Sequence, residues 1–340
     1  MTLTLQRDAR WALLAVAFLI YLPTLNFDFA YDDVHGLPRA VNYSTASFDR
    51  LLTEWTFDLQ AGQSPGAYHL VNVLIHLANG LGLIWLLTRD ARGPAIPVAL
   101  LAAAIFLLHP LQVESVAYIS ARADLLVVSG FLIALAGLTG GGWRRRLLLL
   151  AGTLIMIAAK PAGLLALLPL AVVLGLALEI PAAVGVAGLA VAAAALGLAR
   201  AGLSWDAGGW APQSWFAVQV FSVASYLLQV ILPIRLTADP APWLAAPTVA
   251  LEVFAVVALG WAGLGILTRA WGLVVLVAWV GLSVGWRVIL PHTETFGGPG
   301  DGYFLMLGVS VWIALVIRVH LWPPAHARED DEIDEVIHRG

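Results

Sequence analysis

His69 to Thr88 reads HLVNVLIHLANGLGLIWLLT and holds no Asp, Glu, Lys or Arg. A helix of about 20 such residues crosses the hydrocarbon of a bilayer. The stretch shows no period-two alternation, so it does not read as a barrel strand. Its few polar residues, His69, Asn72, His76 and Asn79, fall at i, i+3, i+7 and i+10 and line one helical stripe. Inside a membrane such a stripe acts as hydrogen-bonding glue between helices, which is the expectation for His76 and Asn79. His69, at the end of the span, can reach a site at the membrane surface.

The same pattern recurs along the chain. Candidate spans cover 10–27, 69–88, 95–109, 123–139, 146–160, 163–179, 182–200, 248–267, 270–290 and 302–321, and 215–235 is also apolar. The sequence is 60% hydrophobic and 12% charged, too apolar for a soluble domain of this size. Lipid admits only helices and closed barrels. The fold class is therefore an all-α polytopic membrane protein, with about 10–11 transmembrane helices and a helical outer-face loop after the first span. Arg7 and Arg10 precede the first span and no small-residue cleavage site follows it, so it reads as a retained anchor. With no cysteine in the chain, disulfides, thiolate catalysis and Cys-ligated metals are excluded. The net charge of −4 offers no basic surface for nucleic acid.

Arginine placement orients the chain. With a cytoplasmic N-terminus and 215–235 not crossing, Arg7, Arg10, Arg89, Arg92, Arg144, Arg145, Arg146, Arg269, Arg318, Arg328 and Arg339 all fall inside. If 215–235 crosses, Arg269 and the C-terminal arginines move outside. The preferred organisation is a single helical domain over 1–322 and an acidic cytoplasmic tail over 323–340. Its long outer segments are 28–68, with an amphipathic helix expected from Phe48 to Phe57, and 201–247. The active face is then outward. Arg122, Lys160, Arg235 and Arg287 break the positive-inside trend and are candidates for an anionic headgroup or phosphate.

Three polar groups stand out. Asp32 and Asp33 adjoin one another just after the first span, where carboxylates need water, a cation or a reacting group. In His109-Pro110 through Asp124, read as continuous helix after Pro110, Glu114, Tyr118 and Arg122 step by four and share a face. The plain alternative is an interfacial helix held by Glu–Arg pairing. The third group is Arg287, His292, Glu294, Asp301 and Tyr303, in a loop with glycines at 297, 298, 300 and 302. That loop reads as a lid or as a permissive turn.

The order of these motifs resembles a known family. The acid pair after span one, Tyr68-His69-Leu70-Val71-Asn72 with a further His-Leu-x-Asn, and His109-Pro110 followed by Glu114 and Arg122-Ala123-Asp124 are similar to the membrane half of the transmembrane and tetratricopeptide-repeat O-mannosyltransferases and their bacterial relatives. These share the GT-C fold with protein O-mannosyltransferases. Lys160-Pro161 stands where relatives commonly have Lys-Glu, and Asp301-Gly302-Tyr303 where they tend to have acid-Arg-Tyr.

The resemblance implies an inverting glycosyltransferase that moves mannose or another hexose from a polyprenyl-phosphate carrier to an acceptor hydroxyl on the extracytoplasmic face. Asp32 is then the general base, Asp33 its neighbour or an acceptor-orienting group, and Glu114 a second acid or acceptor-orienting group. His69, His109, Tyr118, Arg122, Lys160, Arg235, Arg287, His292 and Tyr303 are the substrate-binding candidates. The leaving lipid phosphate needs cationic stabilisation rather than a protonating acid. No cofactor is required and no metal site is expected, with Mg²⁺ or Mn²⁺ on the paired acids as the alternative. Expected partners are the lipid-linked sugar, a protein, lipid or glycan acceptor, and membrane lipids. Richness in Ala, Leu and Gly points to a prokaryotic cytoplasmic membrane. Two other functions share these features: a transporter or flippase of lipid-linked sugar, and a catalytically silent scaffold. A transporter should carry broken spans and a midplane site, whereas here the polar residues crowd at one face.

Overall fold

A computed structural model describes residues 3–30, 33–34, 50–89, 95–138, 142–160, 166–176, 279 and 301–321. Among them there is no strand. The helices are α1 (Leu3–Tyr21), α2 (Leu51–Asp58), α3 (Pro65–Thr88), α4 (Ala95–Leu108), α5 (Gln112–Ala117), α6 (Arg122–Leu138), α7 (Gly142–Ala159), α8 (Leu167–Leu176) and α9 (Asp301–Leu321). Short 3₁₀ turns run over Leu22–Asn26 and Ile119–Ala121. The expected spans 182–200, 215–235 and 248–267, all of 270–290 except Trp279, the segment 201–247 and the tail 323–340 lie outside the described residues.

The protein is an integral membrane protein built from helices. Asp8–Asn26, Pro65–Thr88 and Ile119–Gly137 are long and apolar enough to cross a bilayer, while Ile96–Leu108 and Gly302–Ile317 are apolar but shorter. The distribution of polarity is inverted relative to a soluble protein. Trp11, Leu19, Leu74, Trp85, Leu147 and Leu150 are exposed, while Asn72, His76, Asn79, Gln112 and Arg122 are buried. An exposed apolar jacket of this kind fits a lipid solvent.

Helix α3 lies at the centre. Tyr21, at the end of α1, meets the His76 ring edge-on at 5.2 Å, and Phe27 meets His69 at 6.2 Å, so α1 runs antiparallel to α3. Asn72 bonds Ile119 and Asn79 bonds Leu125, so α3 and α6 run parallel. The α3–α6 seam is locked by a relay. The Leu107 carbonyl accepts from His76 Nε2 at 3.2 Å, which leaves Nδ1 to accept from the Tyr303 hydroxyl at 2.7 Å. That hydroxyl accepts from Asn79 Nδ2 at 3.2 Å, and Ser129 donates to Asn79 Oδ1 at 2.7 Å. The glue expected of His76 and Asn79 is thus present.

Helices α6 and α7 pack closest, through glycine. A Cβ on Gly130 would lie 2.7 Å from the Gly152 carbonyl oxygen, and one on Gly152 would lie 2.5 Å from Ala134 N. Small residues at this spacing allow backbone-to-backbone approach, which replaces hydrophobic driving force inside lipid. Farther along, Phe131, Phe304 and Trp279 form a ring cluster with centroids 5.0–5.7 Å apart, and Trp279 donates to the Leu305 carbonyl.

The contacts separate two ends. Arg10 in α1, Arg89 after α3 and Arg144–Arg146 in α7 fall at one end. There Arg89 stacks over Trp85 and Arg144 over Trp143, a pattern typical of a membrane interface. Asp33, α2, the start of α3 and the start of α6 fall at the other.

Candidate functional site

The site is organised by a break in a helix. Glu114, Tyr118 and Arg122 do not share one helical face, contrary to the expectation from their spacing. Helix α5 ends at Ala117 because Tyr118 turns to an extended conformation (φ −81°, ψ 118°), and a 3₁₀ turn intervenes before Arg122 opens α6. The break strands backbone groups that a continuous helix would pair. Residues far away in the chain satisfy them. Asn72 Nδ2 donates toward the carbonyls of Val116, Tyr118 and Ile119 at 3.4, 3.2 and 3.3 Å. The Ser120 N–H donates to Asp33 Oδ1 at 3.0 Å, and the Ser120 hydroxyl makes a short bond to the same oxygen.

Asp33 is 1% exposed. Burial pushes its carboxyl above the ordinary aspartate value, opposed chiefly by the two Ser120 bonds and further by the backbone at Ile119 and Ala30. Asp32, its neighbour, lies outside the described residues, as do Arg235, Arg287 and His292.

Arg122 is fully buried, and each of its bonds goes to a neutral group. Nε donates to Asn72 Oδ1 at 2.8 Å, Nη2 to the Tyr68 carbonyl at 3.0 Å, and Nη1 to the Thr56 carbonyl and hydroxyl at 3.3 and 3.4 Å. The guanidinium also sits 4.4 Å over the Phe57 ring centroid. Arg122 therefore joins α2, α3 and α6, with each of its three nitrogens bonded to protein.

The remaining candidates are distributed around this frame. Lys160 Nζ pairs with Asp124 Oδ1 at 2.7 Å, while Thr53 bonds the Ala159 carbonyl and holds α7 against α2. His109 is half-buried and its Nδ1 accepts from the Leu111 N–H at 3.2 Å. Glu114 and Tyr118 are half-buried on either side of the break. Tyr303 is not in a glycine-rich loop. It lies in the first turn of α9, fully buried, some two helical turns along α3 from His69, in the relay with His76 and Asn79. Asp301 to Tyr303 belong to α9, the span expected at 302–321, while the rest of the loop expected around them lies outside the described residues.

His69 is 2% exposed and neither ring nitrogen has a hydrogen-bond partner. It interacts with the Asp33 carboxylate and with main-chain carbonyls at Asp28, Ala117 and Phe27, none at bonding geometry. On α5, Gln112 and Ser115 are buried with unpaired side-chain atoms. Sequence reasoning missed Ser120, Thr56, Gln112 and Ser115. Nothing in their immediate sequence marks them, because their significance depends on what folds against them. No group of three or more His, Asp or Glu side chains among the described residues could hold a metal ion.

Comparison with known proteins agrees with the motif order. The chain is 33% identical to protein O-mannosyl-transferase Tmtc1 of Drosophila melanogaster, over 35% of this chain and 17% of that protein. It is 30% identical to Tmtc2 of the same organism, over 43% and 19%. It is 32% identical to the human protein O-mannosyl-transferase TMTC4, over 32% and 17%. The chain thus spans less than a fifth of the length of these relatives. No family model matches it, and no solved structure matches it.

Proposed function

We propose that the protein is an inverting membrane glycosyltransferase that uses a polyprenyl-phosphate sugar, with a hexose such as mannose as the transferred group. The observation that carries this reading is the buried Asp33 carboxylate, fixed at the α5–α6 break, in a chain similar to proteins named O-mannosyl-transferases. A carboxylate withdrawn from water and held by neutral donors is costly unless it serves a ligand or reaction.

In this reaction an acceptor hydroxyl oxygen attacks the anomeric carbon. The bond from that carbon to the phosphate oxygen breaks, polyprenyl phosphate leaves with the electron pair, and Asp32 takes the hydroxyl proton. Asp33, fixed beside the base, orients a substrate hydroxyl. Transfer by one displacement inverts the anomeric centre, and most of the acceleration comes from holding the two substrates in line. Phosphate contacts fall to Arg235, Arg287 and His292. Arg122 and Lys160, bound to protein groups, serve the frame. The acceptor is a protein hydroxyl by analogy with the relatives' names, and the reaction faces the extracytoplasmic side.

Release of polyprenyl phosphate from a panel of polyprenyl-phosphate sugars tests the proposal. Turnover selective for one sugar, and at least ~100-fold lower in Asp32→Asn, is the expected result. Full turnover in a well-folded Asp32→Asn protein removes that residue as base. Movement of lipid-linked sugar across liposomes without product supports a transporter instead.

A further inference from the structure

We infer that Asp33, Ser120 and His69 form a hydroxyl-binding subsite at the α2 end of the α3–α6 seam, in which Ser120 is a positioning residue for the Asp33 carboxylate. The inference deepens the glycosyl-transfer reading and rests on it for the source of the hydroxyl.

The donors and acceptors left open select the ligand class. Ser120 sends two donors, its N–H and its hydroxyl, to the single oxygen Oδ1. Two donors on one oxygen hold the carboxylate in one orientation, and the backbone at Ile119 and Ala30 also bears on the group. His69 lies within electrostatic reach of the same carboxylate and, at 2% exposure, has two nitrogens without a well-formed hydrogen bond, the main-chain carbonyls of Phe27, Asp28 and Ala117 lying around the ring. A neutral imidazole offers one N–H donor and one acceptor. A ligand that satisfies His69 beside the Asp33 carboxylate must therefore both accept from and donate to the imidazole. Hydroxyl groups do this. A phosphate or carboxylate ligand would set a second anion beside Asp33, and an ammonium cannot accept the imidazole N–H. The surroundings suit a polyol, since Phe27 packs edge-on against His69 and Phe29 against Tyr68, with centroids 6.2 and 5.6 Å apart. Such rings offer apolar surface to sugar C–H groups. Leaving His69 unpaired would be expensive, which is the physical reason to expect a partner there.

Two sources supply hydroxyls, the transferred sugar and the acceptor, and kinetics on the full chain in nanodiscs separates them. The probes are mannosyl undecaprenyl phosphate as donor and a Ser/Thr peptide as acceptor, with rates normalised to monodisperse protein. Ser120→Ala keeps the N–H bond and loses the hydroxyl bond. It should lower kcat about tenfold with both KM values nearly unchanged, and Ser120→Thr should recover most of the loss. His69→Phe should raise one KM about tenfold, with His69→Gln intermediate. A rise in the donor KM assigns the subsite to the sugar, and a rise in the acceptor KM assigns it to the acceptor hydroxyl. If wild type turns over and Ser120→Ala matches it, or His69→Phe leaves both KM values unchanged, the subsite is overturned while glycosyl transfer stands. If wild type neither turns over nor gains thermal stability with any hexosyl donor of the panel, both fall together.

Discussion

Arg122 carries a full charge into the interior and spends its donors on an amide oxygen, main-chain carbonyls and a hydroxyl. The planar fork matters more than the charge, because three elements meet on it. Arg122→Lys keeps the charge but cannot reach Asn72, Tyr68 and Thr56 at once. It should cost about 2 kcal/mol or more of stability, read as an earlier thermal or denaturant transition of the detergent-solubilised protein. An anionic ligand at Arg122 would instead make the same change fall mainly on donor affinity. From sequence, Arg122 read as a phosphate contact because a basic group near the end of a span has few cheap roles. The competing role needed Asn72 and Thr56, which are 50 and 66 residues away. That distance also hid Ser120, which is bound to an aspartate 87 residues earlier.

At the scale of elements, the sequence located most of the described helices well and one badly. The span expected at 69–88 is α3, extended by a turn to Pro65, where Pro at the start of a helix forfeits no bond. The spans at 123–139 and 146–160 are α6 and α7, and the helix expected from Phe48 to Phe57 is α2, shifted to Leu51–Asp58. The failure was to read Gln112 to Asp124 as one helix. Local periodicity favoured continuity, while the break is stabilised from outside by Asn72 and Asp33, so no local signal encodes it. Glycine acts in the opposite way, since Gly130 and Gly152 are small precisely where α6 and α7 touch. Gly152→Ala should place a methyl against the Gly130 carbonyl and the Ala134 backbone. The change should destabilise by about 1–3 kcal/mol, whereas Leu150→Ala, on the exposed face, should move the same transition little.

Over the whole molecule, apolar exposure and buried polar relays describe a protein whose solvent is lipid. The arginine count placed Arg10, Arg89 and Arg144–Arg146 on one side of the membrane, and the contacts bring them to one end of the bundle. Because the chain has no cysteine, single-cysteine variants label without background. In intact cells Ser64→Cys, beside α3 at the site end, should react with a membrane-impermeant maleimide. Arg144→Cys should react only after permeabilisation, and the reverse pattern would invert the proposed orientation.

The buried guanidinium also sets an order of assembly. Helix α6 leaves the ribosome some 50 residues after Asn72, with Arg122 at its leading edge, and that charge finds its protein partners only when α2 and α3 are beside it. Insertion of α6 is therefore coupled to its docking on α3, and the insertion machinery has to keep the first helices within reach of the nascent chain. A variant without Asn72 would weaken that docking at its first step, because Arg122 would meet only Tyr68 and Thr56.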